Sequence, residues 1–135
     1  MKQKCKGIVQ QSWGYMKPDL PYIQSYFYRQ IERQDMQLWR YIVGLSQSEQ
    51  FIVKLDPLIR QLDETNEGLL FSEELLSIFC EFSALHWDIL AVSFIAGLED
   101  YLEENIDLEQ EIAWLSFFEQ LKEKSIALNM ALVPE

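Results

Sequence analysis

The chain has 135 residues, enough for one domain, residues 1–135, to bury a core without disulfide or metal staples. Its 11 basic and 22 acidic residues leave a formal charge of −11. That field repels phosphate backbones and anionic lipid, so it argues against nucleic-acid and membrane-surface partners and suits a basic protein partner, a homodimer being the other assembly expected.

A hydrophobic share of 49% and an aromatic share of 13% predict a large, ring-rich core. Cys5 and Cys80 stand far apart with no second cysteine near either, which predicts reduced thiols in a cytoplasmic protein. Met1 to Gly7 is not followed by a long apolar core, so no secretory leader is expected. The longest apolar run, Ile89 to Leu98, is too short to span a bilayer.

Trp13 and the residues before it predict a short first helix from about Lys4 to Tyr15. Pro18 and Pro21 mark a break, proline being tolerated in a first helical turn because its missing N–H would be unpaired there anyway. Ile23, Phe27 and Ile31, with Tyr22 and Tyr26 alongside, then form a helical stripe running to about Gln34. After Gly44, Ser46 or Ser48 could cap a helix through Phe51, Val53 and Leu55. Asp56-Pro57 predicts a kink or restart before Leu58, and Asp63 to Gly68 reads as the clearest loop.

Ser72 can cap the next helix, which carries Leu75, Leu76, Phe79, Phe82 and His86. From Ser72 to Asn105 there is one glycine, Gly97, and no proline. Either a single very long helix runs there or the chain bends between His86 and Phe94. Asp107, with Gln110 three residues on, resembles a capping box opening a last helix. That helix has Leu108, Ile112, Leu115 and Phe118 on one face, Trp114, Phe117 and Leu121 beside them, and Pro134 at its end. No segment alternates as a strand does. The fold class expected is all-α, a bundle of roughly six or seven helices.

Little catalytic chemistry has support in the residues, and no enzyme is expected. No Ser/His/Asp or Cys/His nucleophile pattern stands out, and Cys80, six residues before His86, falls on a different helical face. A di-iron bundle needs Glu-x-x-His from two helices, and zinc needs three or four good ligands; one histidine supplies neither. The isolated glycines make no phosphate loop. The acidic run Glu99 to Glu104 reads as a solvated helix end. His86, the only histidine, is either packed on an apolar helix or ligates a cofactor that takes one protein ligand from one side, haem being the obvious case.

Val9-Gln10-Gln11-Ser12-Trp13, then Pro18-Asp19, then Ile23 to Ile31 with its Phe27-Tyr28 pair, resembles the first two helices of the bacterial globins, the sensor globins among them. His86-Trp87-Asp88-Ile89-Leu90, followed by Phe94 and Gly97, is similar to the sensor-globin stretch after the haem-binding histidine, and Ala113-Trp114 with Phe117-Phe118 and Leu121 to a globin's last helix. The resemblance implies a globin-like fold binding haem and through it dioxygen or another diatomic gas. His86 would be the proximal iron ligand, Tyr28 a donor to bound gas, and Gln50 the distal polar residue. A fixed donor of this kind stabilises the partial negative charge on iron-bound dioxygen. The phenylalanine that globins pack on haem at the corner after the second helix falls here on Tyr41 or Ile42, with Trp39 nearby. Some globin-like sensor domains lack haem and act only through protein contacts. The alternative expectation is therefore a haem-free helical sensory or interaction module with an acidic surface.

Overall fold

The computed structural model describes residues 1–45, 51–63 and 70–132, and among these every regular element is helical. Helix α1 (Gln3–Met16) runs into a 3₁₀ turn, Lys17–Asp19, that carries Pro18. Helix α2 (Leu20–Gln34) follows with Pro21 in its first turn, where proline costs no hydrogen bond. Asp35 leaves the helical region (φ −155°, ψ 102°), and its carboxylate accepts from the backbone N–H of Gln37 and Leu38 at 3.1 and 3.0 Å. This cap opens α3 (Met36–Leu45), which the sequence pattern had not singled out as a helix.

Phe51–Leu55 forms a 3₁₀ segment where a regular helix was expected; the proposed caps Ser46 and Ser48, like Gln50 and nearly all of the 63–68 loop, lie outside the described residues. The expected restart at Asp56-Pro57 is found as α4 (Asp56–Arg60), continued by a 3₁₀ turn, Gln61–Asp63. Ser72 caps α5 (Glu73–Phe79) by accepting from Leu75 N–H at 3.2 Å, as expected. Asp107 likewise accepts from Gln110 N–H at 2.8 Å and opens α7 (Leu108–Leu132).

Between Ser72 and Asn105 neither expectation holds. The chain breaks before His86, at Cys80–Ser83, and the axes of α5 and α6 (Ala84–Leu102) differ by 103°. No glycine or proline is needed, because Ser83, extended at φ −76° and ψ 170°, supplies the cap that starts a new helix. Among the described residues, no single helix is long and apolar enough to cross a membrane.

Helix α2 packs most extensively on α6, α1 lies along α7, and α6 and α7 pair. Ile23, Phe27 and Ile31 are fully buried, so the α2 stripe faces the core as its spacing requires. Gly97 sets the closest approach. A Cβ there would stand 2.8 Å from the Phe27 nitrogen and 2.9 Å from its Cα. One turn earlier on α6, Phe94 packs against Trp114 and Phe118 with ring centroids 4.5 and 5.3 Å apart.

Helix α7 departs from expectation. Trp114, Phe117, Phe118 and Leu121 are buried, but Leu108, Ile112 and Leu115, expected on one face with Phe118, are 69%, 48% and 36% exposed. Two apolar stripes lie side by side on this helix, and the one carrying the larger rings turns inward, where burial of aromatic area returns most.

Candidate functional site

His86 is the third residue of α6, and its position follows from the cap. Ser83 Oγ accepts from His86 N–H at 3.1 Å, while His86 Nδ1 accepts from Ser83 N–H at 3.1 Å. This is a reciprocal capping box with histidine where glutamate or glutamine usually stands. With Nδ1 accepting, the neutral ring carries its proton on Nε2. Nε2 lies 3.9 Å from Asp35 Oδ2, on the carboxylate that caps α3. Nδ1 therefore serves the start of α6, while Nε2 faces the carboxylate that caps α3 beyond hydrogen-bond distance. We expect His86→Ala to cost about 1 kcal/mol, read as a lower urea midpoint, and His86→Gln to restore most of it, since an amide can close the same box.

The imidazole also meets an aromatic ring. Phe82 and the imidazole are T-shaped, centroids 6.3 Å apart, and Phe82 also meets Tyr41, Phe51, Phe79 and Trp87 at centroid distances of 5.8, 6.4, 6.1 and 5.2 Å. Tyr41, expected at a haem-facing corner, thus meets the same ring as His86, and its hydroxyl donates to the Ile78 carbonyl at 3.4 Å. Burial, then the Glu81 carboxylate and Cys80, push the Tyr41 phenol above its ordinary value, so it stays a donor. Tyr28, half-buried on α2, tilts against Phe27 at 6.1 Å, and Phe27 in turn stacks on Phe51 at 6.3 Å. Gln50 lies outside the described residues.

A planar macrocycle bound to His86 needs an apolar slot between helices and a free nitrogen aimed into it. In this packing Phe82, Phe51 and Phe27 fill the interior between α2 and the start of α6, and Asp35 stands before Nε2. Among the described residues, the side chains packed around His86 do not fit haem. Among the described residues, no group of three or more His, Cys, Asp or Glu side chains is placed to hold a metal ion.

The acidic run ends α6, as expected. Glu99 accepts from Ile106 N–H at 3.1 Å, Asp100 accepts from the Gln30 amide at 2.7 Å, and Glu103 closes the helix in the left-handed region at φ 58°. A surface feature the sequence did not mark lies on α7. Ile112, Leu115 and Ser116 floor an open groove of about 480 Å³, with Met1 at one side and Glu119 and Glu123 along the rim. The exposed Ile112 and Leu115 were the available signal, had their stripe been read as the outer one.

Compared with known proteins, the chain matches no family model, no curated protein and no solved structure.

Proposed function

We propose that this chain is a haem-free, globin-like helical module that works by binding a protein partner. The observation that carries this reading is that α7 is apolar on two sides. Trp114, Phe117, Phe118 and Leu121 fill the core, while Leu108, Ile112 and Leu115 remain exposed outside it. A rimmed apolar strip on a highly charged surface is the usual mark of an interaction site. The commitment of His86 Nδ1 to the start of α6, the Asp35 carboxylate facing Nε2, and Phe82 beside the ring support the haem-free form over gas binding.

The test is a titration of the purified protein with hemin, followed by absorption. The expected result is no Soret band of stoichiometric, protein-ligated haem. A one-to-one complex that disappears in His86→Ala would overturn the reading and return the chain to gas binding.

A further inference from the structure

We propose that the α7 groove receives a basic amphipathic helix from a partner protein, an assignment that rests on the interaction-module reading and gives it a surface and a partner chemistry. Ile112, Leu115, Glu119 and Glu123 are spaced three, seven and eleven residues along α7. They therefore share one face over roughly 16 Å, about three turns of a docking helix. The face is graded along its length, with apolar side chains at the N-terminal end beside Met1 and carboxylates at the other. Among the described residues Glu123 has no ion-pair partner, and Glu119 meets only Lys122 at 3.7 Å. Lys122 is held more closely by Asp88, at 3.2 Å.

A second copy of the chain is the poorer occupant. It would bring another formal charge of −11 and a second pair of these carboxylates toward the same apolar strip. A helix with leucine at helical spacing and lysine or arginine on its flanks covers the floor and neutralises the rim together.

The probe is a synthetic peptide of about 15 residues with leucines on one helical face and lysines flanking it, with a second peptide in which glutamate replaces lysine. Binding is measured by isothermal titration calorimetry on the whole chain. The lysine peptide is expected to bind and the glutamate peptide not. Ile112→Ser with Leu115→Ser, and separately Glu119→Lys with Glu123→Lys, should each weaken binding about tenfold or more. Glu32→Lys with Glu104→Lys removes the same charge from exposed sites off the groove and should change affinity by less than about twofold. All four positions in the groove variants are exposed, and unchanged thermal unfolding confirms that each variant is folded.

Equal losses from the groove and off-groove charge reversals would show only a diffuse electrostatic attraction and overturn the assignment. So would peptide binding untouched by either groove variant, or a wild-type dimer that Ile112→Ser with Leu115→Ser converts to monomer, which would give the face to a second copy. A blank hemin titration with no binding in the groove refutes the groove alone. Stoichiometric haem uptake refutes the reading beneath it.

Discussion

Gly97→Ala is expected to destabilise the fold by about 3 kcal/mol, near the upper end of what overpacking costs and a large part of the stability of a domain this size. The methyl group would meet backbone, not a yielding side chain. It would lie 2.8 Å from the Phe27 nitrogen, 2.9 Å from its Cα and 3.1 Å from the Tyr26 carbonyl carbon. Real Cβ atoms do not sit this close, so α2 and α6 must separate, and the Phe27 contacts with Phe94 at 5.9 Å and Phe51 at 6.3 Å loosen with them. Chemical denaturation should show a lowered midpoint with little change in slope. Gly14→Ala is the control of opposite sign. Gly14 lies within α1 with nothing within 4 Å of an added Cβ, so alanine there should stabilise by about 0.5–1 kcal/mol through helix propensity. Two Gly→Ala changes that both destabilise would refute the close crossing as the cause.

Asp56→Ala is expected to cost about 3 kcal/mol near neutral pH, because one carboxylate joins three partners from three elements. Trp13 donates its indole N–H at 2.8 Å, Lys17 lies at 3.1 Å and Arg60 at 2.8 Å. Loss of the carboxylate leaves a part-buried indole N–H without its acceptor and two cations without their counter-charge. Burial alone would raise the Asp56 pKa. The Trp13 hydrogen bond, then Lys17 and Arg60, outweigh it and hold the carboxyl below its ordinary value of 3.8. The contribution is therefore complete above the unfolded-chain value and is lost as pH falls from 3.8 through the lower folded value. Stability of wild type and Asp56→Ala, measured by urea unfolding across this acid range, should converge as pH falls. Parallel curves would show that the carboxylate's charge contributes nothing and that the loss is one of packing.

The helix starts were legible because caps are local. Ser72 and Asp107 each cap as their type and spacing imply, and Pro57 sits in the first turn of a new helix, although Asp56 lies inside that turn and does not cap it. Ser83 was equally legible, yet the residue three positions on is histidine and not glutamate, and the cap was hidden behind the better-known role of that side chain as a ligand. Once Ser83 is seen as a cap, the break before α6 needs no glycine or proline, and His86 belongs to the helix start rather than to a pocket. The α2 stripe was legible for a related reason. Ile23, Phe27 and Ile31 have no competing apolar stripe on that helix.

On α7 two apolar stripes compete, and periodicity cannot rank them. Only packing against Phe94 and Trp13 decides that Trp114 and its neighbours turn inward and that Ile112 and Leu115 stay outside. The same holds for the space beside His86. Phe82, Phe51 and Phe27 come from three segments far apart in the chain, and nothing in any one segment says that they meet. By itself, then, the sequence determined an all-helical, strongly acidic chain and where most of its helices begin, because caps, proline breaks and charge act over a few residues. Tertiary structure alone decided that aromatic rings fill the core beside His86 and that an acid-rimmed apolar groove lies open on α7. Both depend on which distant side chains reach the same space first, and close packing allows only one of them to fill it.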